Sequence, residues 1–229
     1  MSATLDQIVY NLASMIDQSQ DPVILERIRF MVHSSRATLL RRDFKRNFQI
    51  SPSTIQTIPC LEMEKYEGVE CCGVVVPSGC VIYRSKVELP ETIRFQIAPG
   101  GFSFVGTVDL RKSFGHIYPF ELRYYVHRKY GSKIPRYFVS QGRLYVVGSK
   151  PKHIRIDGIF EDPTKLSEIQ DCSGSSCYDR LEPYPIPSDM IDGITRMVSA
   201  QIMRELPADH AQTTLQQEQI NGNSSQPRS

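Results

Sequence analysis

The sequence predicts an α+β fold: a small helical bundle, two N-terminal helices plus one C-terminal helix, interrupted by a β-rich insertion and followed by an extended polar C-terminal tail. Three observations carry that prediction. Apolar residues recur at three-and-four spacing near both ends of the chain, short polar–apolar alternations broken by Pro and Gly fill its middle, and Ala208 to Ser229 are polar and Gln-rich.

The first helix is marked by Leu5, Ile8, Val9, Leu12, Met15 and Ile16 on one face. Thr4 and Gln7 form a Thr-x-x-Gln capping box at its start, in which the Thr4 hydroxyl accepts the Gln7 N–H while the Gln7 side chain reaches back. Asp21 is a good N-cap for a second helix, and Pro22 suits its first position, where a missing N–H is no loss. Leu25, Ile28, Val32 and Leu39 continue its stripe. Run to about Arg46, this helix is roughly 37 Å long. The short link between the two implies an antiparallel hairpin.

After Ser51-Pro52, alternating segments predict strands at Cys60–Lys65, Cys80–Val87, Thr92–Ile97, Arg136–Val147 and His153–Phe160. The fourth reads as a hairpin turning at Gln141-Gly142, where glycine permits positive φ. From Asp171 to Pro187 the chain is irregular and proline-punctuated. Ser188 then caps a third helix whose face is Ile191, Ile194, Met197, Val198, Ile202 and Leu206, and Pro207 closes it. No one of the three helices can bury its stripe alone, so packing them together makes the β region an insertion. The expected divisions are a helical hairpin at 1–54, the insertion at 55–178, the completing helix at 179–207 and the tail at 208–229. The tail has too few apolar residues to offset its ordering entropy, so it is expected to order only against a partner.

Composition bounds the function. The 229 residues carry 27 Lys plus Arg against 25 Asp plus Glu, a formal net charge of +2. The sequence pI of about 8.2 falls short of the value, roughly 9, above which dedicated nucleic-acid-binding domains lie. Any basic surface must be local. A hydrophobic share of 40% excludes global disorder. No window approaches a membrane span, and Met1 to Tyr10 lack the cationic start and apolar core of a signal peptide, so a soluble, non-exported chain is expected.

The charge is segregated along the chain. Residues 111–155 hold eleven Lys or Arg, among them Arg128, Lys129, Lys133 and Arg136, and one acid, Glu121. Residues 157–192 hold nine acids against Lys165 and Arg180. Two readings follow: copies of the chain set one patch against the other, head to tail, or the windows fold together and neutralise internally. The basic window also holds nine aromatics, a mix that can track single-stranded nucleic acid, although aromatic residues serve strand packing equally well. A second cluster, Arg36, Arg41, Arg42, Lys45 and Arg46, falls in the last turns of the second helix. Cations there favour the negative end of the helix dipole, and a DNA-facing role is the competing reading.

Six cysteines, Cys60, Cys71, Cys72, Cys80, Cys172 and Cys177, offer no Cys-x-x-Cys knuckle, so zinc is not expected. A Cys172–Cys177 disulfide is sterically conceivable, but a non-exported chain is expected to keep reduced thiols. The five histidines show no His-x-x-x-His spacing. No phosphate loop, Gly-x-Ser-x-Gly elbow or His-Glu-x-x-His motif occurs, and the chain reads as a non-enzyme with no cofactor and no metal.

Several pieces together resemble a virion structural protein of crAss-like tailed bacteriophages: Leu5-Asp-Gln-Ile-Val-Tyr-Asn11, Glu70-Cys71-Cys72, Pro77-x-Gly79-Cys80, Gly158-Ile-Phe-Glu-Asp-Pro163, Cys172-x-x-x-x-Cys177-Tyr178 and Tyr184-Pro-Ile-Pro187. Their order covers residues 5 to about 206. The resemblance implies a head-to-tail connector, an adaptor ring under the portal whose copies, about twelve to match it, surround a channel for double-stranded DNA. It implies a C-terminal segment reaching into the portal, for which Leu215 and Ile220 are the candidate anchors, and Lys or Arg side chains contacting phosphates without base preference. Partners would be copies of the chain, the portal, other tail or ring proteins and packaged DNA, with no membrane. The alternative is a nucleic-acid-binding accessory protein using residues 111–155.

Overall fold

The computed structural model describes residues 3–16, 21–66, 81–95, 101–125 and 134–205. The first helix, α1 (Leu5–Ser14), starts as the capping box dictates: Gln7 N donates to Thr4 Oγ1 at 3.3 Å and Thr4 N to Gln7 Oε1 at 3.0 Å. The second, α2 (Pro22–Asn47), is capped by Asp21, whose carboxylate accepts the Val23 N–H at 2.8 Å. A 3₁₀ turn at Ser188–Met190 leads into the last helix, which we call α4 (Ile191–Glu205), because a single-turn helix α3 (Leu122–Tyr125) precedes it in the chain. Leu5, Ile8, Val9 and Leu12 of α1, Ile28 and Val32 of α2, and Ile194, Val198 and Ile202 of α4 form one core with Tyr184 and Ile186. The helices at the two ends of the chain thus complete one bundle.

Between them, among the described residues, lie seven strands: β1 (Gln56–Tyr66), β2 (Ile82–Ser85), β3 (Phe102–Gly106), β4 (Gly115–His116), β5 (Arg136–Ser140), β6 (Arg143–Val147) and β7 (His153–Gly158). Their order in the sheet is β3-β7-β1-β2-β6-β5-β4, antiparallel except for the β4–β5 pair. The two edge strands are also consecutive in the chain, and they meet. Phe114 N donates to Val105 O at 2.7 Å, and Gly106 bridges Ser113. The sheet therefore curls until its edges are joined, which removes the exposed edge strands that invite unwanted pairing. Its interior holds Ile58, Leu61, Phe102, Val105, Leu144, Val146, Ile154, Ile156 and Phe160. Closure requires Gly106, where a Cβ would lie 2.2 Å from the Lys112 carbonyl oxygen.

Three departures from the sequence expectation have physical causes. Strand β1 begins four residues earlier than Cys60, because its pairing with β7 shifts register between Ile58 and Leu61, and the bulge accommodates Pro59, which has no N–H to give. Thr92–Ile97 makes no ladder within its described part: Thr92 bridges Phe160 once, and Ile93 and Phe95 turn instead onto Ala37, Leu40 and Phe44 of α2. Strand β3 pairs with β7 through a register shift between Phe102 and Phe104, which breaks its alternation, and β4 is only two residues long. The Gln141-Gly142 hairpin does form, with positive φ at both residues (51° and 71°), the requirement of a type I′ turn.

Helix α2 belongs to both cores. Its first half packs in the bundle and its second half against Ile93, Phe95 and Ile159 at the end of the barrel. No helix among the described residues is long and apolar enough to cross a membrane.

Candidate functional site

Of the sequence-chosen contact residues, Arg36, Arg41, Arg42, Lys45, Arg46 and Arg136 are described. Arg128, Lys129, Lys133, Leu215 and Ile220 lie outside the described residues.

Arg36 is not a surface contact. It is fully buried at the crossing of bundle and barrel, where its Nε donates to Pro185 O at 2.8 Å and its Nη1 to Phe160 O at 2.6 Å. Its guanidinium lies 5.5 Å from the Tyr184 ring centroid, and Nη2 has no partner among the described residues. Periodicity does hint at this, since Arg36 sits four residues after Val32 on the apolar stripe of α2. The residue is a fastening within the subunit, unavailable to DNA or to a neighbouring copy.

One turn earlier, His33 Nδ1 lies 2.8 Å from the Tyr184 hydroxyl and Nε2 lies 3.5 Å from Asp162 Oδ1. Burial holds the His33 pKa below its ordinary value, with Arg36 and Arg29 acting in the same direction and Asp162 and Glu26 opposing. The unfolded chain then takes up the proton first, so stability is fully present above the unfolded value of about 6.5 and is lost as pH falls from there through the folded pKa. Half-buried His116 is shifted the same way by burial. Urea unfolding at a series of pH values is expected to show falling stability below about pH 6.5, with a shallower fall in His33→Gln. An unchanged profile in that variant would contradict the assignment.

At the far end of α2, Arg41 pairs with Glu161 just after the barrel's last strand. Arg42, Lys45 and Arg46 are exposed and make no ion pair among the described residues. Their three-and-four spacing gathers them on one side of the helix, at its negative end. This is a local positive surface on an otherwise nearly neutral chain.

The 111–155 window divides differently. Arg155 binds Asp157 at 3.0 Å, and Arg143 donates to the carbonyls of Ser85 and Lys86 and lies 3.7 Å from Glu88. Arg136 is half-buried and folds across Gly115, where an added Cβ would lie 2.3 Å from its Nη1. Lys112, Lys150 and Lys152 are exposed. Phe114, Tyr125, Tyr137, Phe138 and Tyr145 are buried, and desolvation lifts the Tyr137 pKa to about 12. Tyr118 and Phe120 remain exposed and stack on each other, centroids 5.5 Å apart. Phe114 and Tyr137 belong to the barrel interior, and Tyr125, Phe138 and Tyr145 to a second cluster with Tyr66, Ile82 and Val147, so these five rings serve packing and are not available to stack on bases.

A constellation that sequence reasoning missed lies where β1 and β7 meet the 170–176 loop. Cys60 and Cys172, 112 residues apart, are joined as a disulfide with Cα atoms 5.5 Å apart, and His153 lies beside them. The expectation of reduced thiols is corrected at this pair, and the sterically conceivable Cys172–Cys177 bridge is not the one formed: Cys177 is free, and burial, seconded by Asp171, pushes its thiol pKa up. Nothing in the linear spacing signals the pair, because the fold alone brings β1 and the 170–176 loop together. Cys71, Cys72 and Cys80 lie outside the described residues.

The geometry contains fastenings and charged surfaces, in keeping with an assembly component. A family model described as phage tail ring protein 2 matches residues 7–219. This chain belongs to that family. No curated protein matches it. As a phage tail ring protein it is a structural component of the virion, built into a ring with other tail proteins. The match reaches twelve residues beyond Pro207, into the polar tail where sequence resemblance had stopped.

Proposed function

We propose that this tail ring protein is a non-enzymatic head-to-tail connector, an adaptor ring directly below the portal through which double-stranded DNA passes. Family membership supports the ring, and the exposed Arg42-Lys45-Arg46 face of α2 is the observation that favours a DNA channel. An otherwise nearly neutral chain concentrates at one helix end cations that make no ion pair among the described residues, where they suit phosphates read without base preference. In this reading about twelve copies close the ring, matching the portal. The acidic 157–192 surface of one copy meets exposed lysines of the next, and the tail docks on the portal through Leu215 and Ile220. Assembly takes place in the cytoplasm of the bacterial host.

The test is to mix the full chain with its portal protein and record native mass spectra. A closed ring seated on the portal is expected, and Leu215→Asp together with Ile220→Asp should weaken that complex while leaving the isolated chain folded. Absence of any portal complex, combined with salt-sensitive DNA binding by monomers that maps to Lys129, Lys133 and Arg136, would favour the accessory-protein alternative.

A further inference from the structure

We propose that Cys60, His153 and Cys172, in the reduced protein, form a binding site for a soft divalent metal ion, Zn²⁺ by the chemistry of the donors. The sheet register builds the site. Leu61 and Ile154 pair across β1 and β7 and point into the barrel, so their neighbours Cys60 and His153 are turned to the outer face, with Cys60 delivered by the bulge around Pro59. The third donor arrives on a stiffened loop. Gln170 bridges Ser176, and the Asp171 carboxylate accepts from the N–H groups of Ser173 and Ser175 and from the Ser173 hydroxyl, which fixes the turn carrying Cys172.

The two Sγ atoms and an imidazole nitrogen all lie within 4.8 Å of one another. Tetrahedral zinc, with bonds of about 2.0–2.3 Å, holds its ligand atoms roughly 3.4–3.8 Å apart, so one ion reaches all three with small side-chain adjustments. A disulfide uses two of these groups and leaves the histidine without a role, whereas a metal uses all three. Thiolate and imidazole donors select zinc and similar soft or borderline ions over magnesium or calcium. His153 and Cys172 are exposed, and all three residues line a cleft of about 660 Å³ that admits an ion and leaves a fourth position for water. Binding converts two thiols to thiolates and releases their two protons. The disulfide is the oxidised form of the same pair and excludes the metal. That the reduced form is the one present during assembly rests on the proposed cytoplasmic site of assembly.

The experiment uses the full chain, reduced in metal-free buffer and titrated with Co²⁺ as the optical probe, then with Zn²⁺ in competition. One equivalent of Co²⁺ is expected, with sulfur-to-cobalt charge-transfer absorption and visible bands of a tetrahedral ion, displaced by Zn²⁺. Cys60→Ser and Cys172→Ser should abolish the signal, and His153→Ala, losing a direct ligand, should weaken Co²⁺ binding by at least about tenfold. A variant with Cys71→Ser, Cys72→Ser and Cys80→Ser should retain it. No stoichiometric binding by the reduced chain, a signal that survives Cys60→Ser, or one that disappears with the triple variant would each overturn the proposal. The readout needs neither a ring nor a portal, so its failure is distinct from failure of the connector reading.

Discussion

Arg36→Ala is expected to lower the unfolding free energy by about 2–5 kcal/mol, the range for breaking two buried hydrogen bonds to a charged donor. The substitution removes the donors to Phe160 O and Pro185 O, and each orphaned buried carbonyl costs about 1–3 kcal/mol. It also empties a space otherwise filled by a fully buried side chain against Tyr184. One term opposes these. The guanidinium is buried without a direct carboxylate partner among the described residues, so removing the charge relieves some desolvation. Arg36→Met fills the space without the charge and should therefore lose less than Arg36→Ala. Because this residue ties α2 to both the barrel end and the segment leading to α4, loss of the tie should also lower the cooperativity of urea unfolding, seen as a broadened or split transition. A loss below about 1 kcal/mol, within the range of an ordinary surface substitution, would contradict the role assigned to it.

Phe160→Ala tests the other side of the same junction and is expected to cost about 3–5 kcal/mol. Its ring is fully buried in the barrel interior, 6.4 Å from the Phe102 ring centroid, while its backbone carbonyl faces Arg36. Truncation therefore removes core packing and leaves the Arg36 hydrogen bond available. A cooperative transition shifted to lower urea is expected, in contrast with the altered cooperativity of Arg36→Ala. Phe160→Leu retains most of the volume and should cost less than half as much. Equal losses in the two Phe160 variants would show that the ring is not closely packed.

The first two helices were legible because each carries its own start signal and stripe; the third was legible by its stripe alone, since Ser188, expected as its cap, makes no capping bond and instead opens the 3₁₀ turn that precedes it. Thr4-x-x-Gln7 and Asp21-Pro22 place two helix starts by local hydrogen bonding alone, and the resulting α2 ends within a residue of Arg46. The strands were legible where apolar, β-branched and aromatic runs are bounded by turn signals, as in β5 and β6 on either side of Gln141-Gly142 and in β7. Barrel closure was not, because it depends on Val105 meeting Phe114 across a turn and on a glycine, Gly106, chosen for what it lacks. Charge misled at Arg36: a cation on an apolar stripe was grouped with its basic neighbours, when the stripe was the stronger signal. The Cys60–His153–Cys172 group was invisible for a different reason. Its members are local to nothing in the chain, and a bulge at Pro59 together with the 170–176 loop is what assembles them.

The most direct measurement is a reconstruction of the portal–tail region of intact virions by electron cryomicroscopy, resolved well enough to trace α2. The connector account predicts a closed ring of this chain in contact with the portal, with Arg42, Lys45 and Arg46 facing the DNA-filled channel. A ring lying further down the tail with no portal contact, or one whose α2 ends point to the outside of the particle, would contradict it.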